Sequence, residues 1–188
     1  MMRLAFLVLG LALLAPAAQA AAPAHWAVDP AASRLGFQGK MNDQAFNGVF
    51  RRWSANIVFD PKALALSRAV VTIDAGSAAT GDPDRDQAMP TADWFAAQKF
   101  PQAVFTTSAI KDLGGGRYQA IGDLAIRGVH KPVVLPFTLA ITGDTAKMNG
   151  AVTLNRTAFG IGQGRWSTKD VVDTSVTVNV ALTAHRVH

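Results

Sequence analysis

The sequence predicts an all-β fold, a single antiparallel barrel of about eight strands with a short helical segment near residues 84–100. Three observations favour this class. Short runs of alternating apolar and polar residues recur at intervals typical of β-sandwiches and barrels. All 13 acidic residues are Asp, and the absence of Glu together with abundant Val, Thr and Phe disfavours a helical protein. Hairpin-like connections without crossover helices indicate antiparallel pairing, and closing the sheet removes its exposed edges.

Three strands are predicted in the first part of the chain. The first begins at Trp26, is broken by a turn at Pro30 and continues over residues 34–39. A long second strand is predicted over residues 46–60, because apolar and polar side chains alternate there with a period of two. The third strand is predicted over residues 67–74.

The segment 85–105 interrupts this strand pattern. Thr91 is the candidate N-cap of a helix, Asp93 lies in its first turn, and Pro101 ends it. We expect the aromatic residues of the segment to cover a mouth or an edge of the barrel: Trp94, Phe95, Phe100 and Phe105. The alternative is that each ring only fills the core.

The remaining strands are predicted at residues 103–112, 117–127, 133–142, 147–155 and 173–184. Glycines between the first two of these supply the positive φ angles that a tight hairpin needs. Pro136 indicates an edge position or a bulge in its strand. The last strand has the clearest alternation, and one of its faces carries Val176, Val178, Val180 and Leu182.

Residues 1–20 have the pattern of a secretory signal peptide. Arg3 provides a positive start, residues 4–15 form an apolar run, and residues 18–20 form a small-x-small cleavage site. The run is shorter than the roughly 20 residues that a membrane span requires. We therefore expect residues 21–188 to form one periplasmic or secreted domain without a transmembrane segment. The chain contains no Cys, so packing and the β ladder must stabilise it without disulfides.

Recognisable motifs of catalysis, metal binding and nucleic-acid binding are absent from the sequence. The lack of Cys excludes thiol catalysis and Cys-based metal sites. No Ser or Asp is tied to His130 by a catalytic motif, and His185 with His188 would grip a metal only weakly. The net charge is +5, but apart from Arg51-Arg52 the basic residues are scattered, whereas a nucleic-acid surface requires a dense basic stripe. These observations predict a protein that is not an enzyme, holds no metal and binds no nucleic acid.

Five elements of the chain resemble, in the same order, the YceI-like family of exported proteins. They are GVF at 48–50 with IVFD at 57–60; RD at 85–86 with DWF at 93–95 and KFP at 99–101; GDLAIRGV at 122–129; PVVL at 132–135; and RTAFGIG at 156–162. The chain departs from the family pattern at Trp94, where Phe is usual, and at Ala96, where Asp is usual. Trp94-Phe95 and residues 162–166 are similar to the branch found beside membrane b-type cytochromes.

The resemblance implies a lipocalin-like barrel whose internal apolar tunnel binds a polyisoprenoid chain, as in isoprenoid quinones or polyprenyl phosphates. The expected apolar ligand-binding residues of the tunnel are Phe37, Phe50, Trp53, Ile57, Trp94, Phe95, Phe100, Phe105, Phe137 and Phe159. The expected head-group partners are Arg85, Asp86 and Arg156. Arg156 is favoured for a phosphate because the guanidinium fork matches phosphate oxygens.

Three functions compete on this sequence. The first is a periplasmic carrier that holds an isoprenoid lipid or quinone and has no other cofactor. The alternative is a non-enzymatic envelope protein that acts with a membrane b-type cytochrome. The third, an enzyme with His130 or Asp86 as base, lacks a supporting motif. Cavity volume discriminates between the first two, because an eight-stranded barrel can be filled by side chains or can hold one small ligand.

Overall fold

A computed structural model describes residues 23–188, so the predicted signal peptide lies outside the described residues. Strands make up most of this part of the chain, and its one α-helix, α1, spans Pro83–Ala88. The strands are β1 Ala24–Val28, β2 Arg34–Met41, β3 Gln44–Phe50, β4 Trp53–Phe59, β5 Arg68–Asp74, β6 Ala78–Ala79, β7 Gln102–Gly114, β8 Arg117–Ile126, β9 Val129–Thr142, β10 Thr145–Asn155 and β11 Ser175–Val187. Short 3₁₀ helices lie at Leu64–Leu66, Ala75–Ser77, Arg156–Phe159 and Gly164–Trp166.

The strands form an antiparallel sheet that closes on itself. Pairing follows the order β1–β4–β5–β7–β8–β9–β10–β11, and β11 pairs back with β1, so that 8 strands complete the ring. The length of β11 allows this closure, because its C-terminal part pairs with β1 while its N-terminal part pairs with β2. Strands β2, β3 and β6 extend the wall beyond the ring. The predicted all-β barrel is confirmed.

The long strand predicted over residues 46–60 is wrong in one respect, because the chain breaks between β3 and β4. Arg51 and Arg52 leave the ladder there, and their amides donate to the Ser77 carbonyl and to the Ser77 hydroxyl, each at 3.1 Å. Arg52 also pairs with Asp74 at 2.8 Å. The break bends the wall, so β4 pairs with β1 while β3 pairs with β2.

The predicted helix is also displaced. Asp82, not Thr91, is the N-cap residue, and its carboxylate accepts from the Arg85 amide at 3.0 Å. Pro83 at the first helical position and acids in the first turn strengthen this start. The chain from residue 89 to 100 forms successive turns, in which Ala96 has a left-handed φ of 47° that no continuous helix permits.

One end of the barrel is filled by side chains. Trp26, Phe59, Tyr118, Ala146 and Ala184 form a buried cluster at this end. The rings of Phe59 and Tyr118 meet edge to face at 5.8 Å, and the Trp26 indole N–H donates to the Phe59 carbonyl at 3.0 Å. Such aromatic pairs add about 0.5–1.5 kcal/mol beyond the burial of their area. The cluster therefore closes this end of the barrel.

The barrel wall is incomplete between β9 and β10. The two strands pair from Thr142↔Thr145 to Phe137↔Gly150 and no further. Beyond that point β9 pairs only with β8, and β10 pairs only with β11. Pro136 lies where the pairing stops, so its predicted position at an edge is confirmed. We call the unpaired stretch, residues 129–136 of β9 and 151–155 of β10, the open seam.

No helix in the described part of the chain is long and apolar enough to cross a membrane.

Candidate ligand cavity and its mouth

The interior of the barrel contains a cavity of about 520 Å³. Its wall follows from the alternation of the strands, because every second side chain points inward. In β11 the predicted apolar face lines the cavity, with Val176, Val178, Val180 and Leu182. The opposite wall includes Ala69, Val71 and Ile73 of β5. A cavity of this size falls within the range of about 300–1,000 Å³ typical of small-molecule sites.

The structure places all but one of the predicted tunnel residues on the cavity wall. These are Phe37, Phe50, Trp53, Ile57, Trp94, Phe95, Phe105, Phe137 and Phe159. Phe100 is the exception, and its placement in the tunnel is wrong. Its ring instead covers Gly128 in the turn between β8 and β9, and the Lys99 ammonium lies 5.3 Å from the ring centroid. The left-handed turn at Ala96 separates Phe100 from Trp94 and Phe95.

Sequence reasoning missed several cavity residues that lie near its outer end: Met41, Phe46, Met89, Trp166 and Val172. Met41 and Phe46 flank a hairpin turn, and the other three belong to irregular segments. Alternation carries no signal in such segments, so only the presence of large apolar residues in loops could have indicated them.

The cavity reaches solvent at the end opposite the filled cluster. Asp84 of α1 and Arg165 are the exposed residues among those that line it within the described chain. The other charged residues of the wall are Arg85, which follows Asp84 in α1, and Arg156, which begins the segment that carries Arg165. The rest of the wall is almost entirely apolar. We call this charged end the mouth.

Contacts among three segments close a ring around the mouth. The β2–β3 hairpin touches the loop after β10 through the Met41↔Val172 bridge. The hairpin meets α1 where the Arg85 guanidinium lies 5.0 Å from the Phe46 ring centroid. The Trp94 and Trp166 rings, 5.7 Å apart, connect the turns after α1 with the loop.

Arg156 anchors the loop that forms one side of the mouth. Its side chain is buried, with 4% of the residue exposed. The guanidinium donates to main-chain carbonyls of Asp173, Ile161, Gly162, Trp166, Thr168 and Val172 at 2.6–3.4 Å. Burial lowers the pKa of Arg156 and the Asp173 carboxylate opposes this, but an Arg side chain stays charged in proteins. Because its donors are already occupied, the geometry contradicts the predicted head-group role for Arg156.

Asp86 also has a structural role rather than the predicted one. Its carboxylate accepts from the Thr80 amide at 2.6 Å, from the Thr80 hydroxyl at 2.8 Å and from the Gly81 amide at 3.2 Å. These hydrogen bonds, led by the one from the Thr80 amide, lower the pKa of Asp86. Asp86 does not contribute to the cavity wall. It therefore fastens the turn before α1.

Arg85 is the one predicted head-group residue that keeps donors at the mouth. Its Nη2 lies 3.2 Å from the Asp82 carboxylate, and its Nε donates to the Thr80 hydroxyl at 3.3 Å. The side chain is 32% exposed, and an ion pair this open to solvent stabilises little. Arg85 can therefore exchange the Asp82 contact for a ligand.

The groups considered for catalysis and metal binding lie outside the cavity. His130 Nδ1 is 2.6 Å from the Asp123 carboxylate, on the exposed faces of β9 and β8. His185 and His188 lie near different carboxylates, those of Asp29 and Asp144. Over the described residues no group of three His, Cys, Asp or Glu side chains is arranged to hold a metal.

A closed antiparallel barrel with one filled end and an apolar cavity behind a charged mouth defines a lipocalin-like architecture. The model of the YceI-like domain matches residues 26–184, and the chain belongs to this family. A UPF0312 protein of Pseudomonas syringae pv. tomato is 31% identical over 183 residues, covering 93% of this chain and 94% of the relative. A UPF0312 protein of Vibrio vulnificus is 28% identical over 137 residues, covering 71% and 72%.

Solved structures share the fold. BcnA of Burkholderia cenocepacia is 35% identical, with a TM-score of 0.80 over 83% of this chain and 98% of BcnA. A Campylobacter jejuni YCEI protein is 25% identical, with a TM-score of 0.65 over 75% of this chain and 85% of that protein. A polyisoprenoid-binding domain from Saccharophagus degradans, implicated in plant cell wall breakdown, has a TM-score of 0.71 at 18% identity over 87% and 99%. That last likeness concerns the fold alone. The b-type cytochrome branch stays a prediction.

Proposed function

We propose that this protein binds and carries a single-tailed amphiphile, with its apolar chain in the barrel and its head group at the mouth. The observation that carries this proposal is the polarity of the cavity: one end is filled by side chains, the wall is apolar, and exposed charges occur at the other end. An apolar tail gains about 0.8 kcal/mol for each buried CH₂ group. Ordering of the tail and immobilisation of the ligand offset part of that gain.

The tail that we propose is an isoprenoid, as in a quinone or a polyprenyl phosphate. The support is the family membership together with the shared fold of a polyisoprenoid-binding domain. Branched prenyl units suit a wall of Phe, Val, Leu and Met side chains, because such walls bind by area and impose little directional constraint. Affinity should therefore rise with the number of prenyl units until the cavity is full.

A pair of substitutions on one strand tests the proposal. Val178→Trp places an indole inside the cavity, whereas Asn179→Trp places the same indole on the outer face of β11. We expect Val178→Trp to weaken binding of farnesyl and geranylgeranyl compounds at least tenfold, by occupying the space of the tail. Asn179→Trp should bind like the wild type. Titration calorimetry on delipidated protein measures both affinities, and equal binding by the two variants contradicts the proposed site.

The partner-binding alternative requires no cavity. The interior space of about 520 Å³ therefore favours a ligand carrier over a protein that acts only through its surface. A cytochrome partner and the absence of catalysis both stay predictions.

We further propose that the carrier works in the periplasm or outside the cell, after removal of residues 1–20. The support is the sequence pattern of that segment alone. Cell fractionation followed by N-terminal mass analysis tests it, with a mature chain that begins at Ala21 as the expected result. A cytoplasmic protein that retains Met1 would contradict this assignment.

A further inference from the structure

Two arginines at the mouth, Arg85 and Arg165, keep N–H donors available for a ligand. We propose that they form a subsite for an anionic head group, a phosphate ester or a carboxylate, so that the preferred ligand is an anionic rather than a neutral prenyl amphiphile. This inference rests on the proposed function, since it assigns the head group of the ligand whose tail fills the cavity.

Arg165 suits this role because Trp166 orients its guanidinium and because its N–H donors have no partner within the described chain. It lines the cavity, is exposed, and stacks its guanidinium 4.3 Å from the ring centroid of Trp166. Within the described chain it forms no ion pair and its side chain donates no hydrogen bond. The stacking holds the planar guanidinium at the mouth while leaving its edge, with all the N–H donors, available to an anion.

The rigidity of this subsite comes from Arg156. Trp166 accepts a hydrogen bond from Arg156 through its carbonyl at 2.6 Å, and the Arg156 guanidinium lies 5.4 Å from the Trp94 ring centroid. The two indole rings thus lie between the two guanidinium groups, in the order Arg156, Trp94, Trp166, Arg165. The buried arginine fixes the loop, and the exposed one is presented to the ligand.

The residues that line the cavity carry more positive than negative charge. Among residues lining the cavity, Asp84 is the acid, set against Arg85 and Arg165, while the Arg156 charge is surrounded by carbonyl oxygens. Asp82 offsets part of the Arg85 charge, because their side chains lie 3.2 Å apart. A neutral hydroxyl or quinone carbonyl accepts a hydrogen bond from an arginine, but an anion adds the attraction of opposite charge and can accept two parallel N–H donors from one guanidinium.

The test compares head groups on one tail: farnesol, farnesoic acid and farnesyl phosphate, each titrated into delipidated protein below its aggregation threshold. We expect farnesyl phosphate to bind at least about tenfold more tightly than farnesol, with farnesoic acid between them. Raising the salt concentration should weaken binding of the two anions and leave farnesol unchanged.

Substitutions test whether Arg85 and Arg165 cause the preference for an anionic head group. Arg165→Gln and Arg85→Gln should each weaken farnesyl phosphate several-fold while changing farnesol less than twofold, and Asp84→Asn should tighten the phosphate. Arg117→Gln, on the β7–β8 hairpin and outside the cavity lining, is the matched control. Thermal melting verifies that each variant folds.

The outcomes separate the two proposals. Binding of farnesol as tight as that of farnesyl phosphate, or equal losses for both ligands in the arginine variants, overturns the anion subsite and leaves the carrier function standing. Failure of all three farnesyl compounds to bind overturns both.

Discussion

At the scale of single residues, Arg156 decides the shape of the mouth. One guanidinium binds carbonyls spread from residue 161 to 173, so a single side chain ties together the parts of a loop without regular strands. Gly162 is part of the same arrangement, because a Cβ there would lie 2.0 Å from Arg156 Nη1. The arginine therefore needs a glycine beside it, and both belong to the motif at 156–162.

The Arg156→Lys variant tests this role. Lys keeps the charge but has three donors in place of the planar fork, so several buried carbonyls would lose their partners. We expect a loss of about 2–4 kcal/mol in the free energy of unfolding, measured by urea denaturation. The exposed Arg34→Lys is the control and should change stability by less than about 0.5 kcal/mol. A loss as small as that of the control would contradict the role of Arg156.

The lowered pKa of Asp86 predicts how the stability of the protein depends on pH. Its folded pKa lies below the ordinary value, so its contribution to stability is complete above about pH 4 and is lost as the pH falls through the lower folded pKa. Asp86→Asn should therefore melt below the wild type at pH 7. The difference should shrink as the pH is lowered through the acid range, when the wild-type carboxyl becomes protonated. A difference that is independent of pH would show that the charge of Asp86 is not what stabilises the turn.

The sequence suggests which charged residues lie near the mouth. It does not show which of them have hydrogen-bonding groups available for a ligand. Arg85, Asp86 and Arg156 all belong to segments that form the mouth. Asp86 and Arg156, however, make most of their hydrogen bonds with main-chain groups. Their partners are main-chain groups, and backbone partners leave no trace in a residue pattern. Arg165 was passed over for a different reason, because only the fold shows that it lines the cavity.

At the scale of elements, the open seam between β9 and β10 is the weakest part of the wall. The Leu139 amide donates to the Gly116 carbonyl at 2.8 Å, on the β8 side of the strand. Because successive amides of a strand point to opposite sides, odd-numbered residues of β9 point their amides towards β8 and even-numbered residues point theirs towards β10. Pro132 and Pro136 occupy even positions in the seam. Lacking an N–H, they leave fewer donors unpaired on this edge.

Hydrogen exchange should report the seam residue by residue. We expect the amide of Val134, which faces the seam, to exchange much faster than those of Val133 and Leu135, which face β8. In β10 the amide of Thr153 should exchange faster than that of Val152, which faces β11. Nuclear magnetic resonance resolves these amides individually. Equal protection of neighbouring residues would mean that the seam is closed in solution.

Element prediction succeeded where the side chains alternate and failed where they do not. The faces of β5 and β11 follow directly from a period of two, and the three glycines at 114–116 have the positive φ angles expected of their hairpin, 78°, 63° and 73°. The break at Arg51-Arg52 has no local signal, because its cause is Ser77 on another element. The helix start was misplaced because Asp82-Pro83 is a stronger signal than Thr91.

At the scale of the whole molecule, the essential feature is a barrel filled at one end and hollow towards the other. Strand count alone left both a filled and a hollow barrel open. The difference depends on where large and small residues meet in space. At the closed end Trp26, Phe59 and Tyr118 converge, whereas towards the mouth the wall includes the small residue Ala103, which pairs with Ile73. Such convergence is a property of the strand register, which the sequence does not reveal.

The most direct test of the account is native mass spectrometry of protein expressed with its signal segment and purified without detergent, with extraction and identification of any bound lipid. We expect one prenyl amphiphile per chain on the wild type and on Asn179→Trp, and none on Val178→Trp. An empty wild-type protein that also fails to take up farnesyl phosphate, or the same lipid load on both tryptophan variants, would contradict a carrier that holds its ligand inside the barrel.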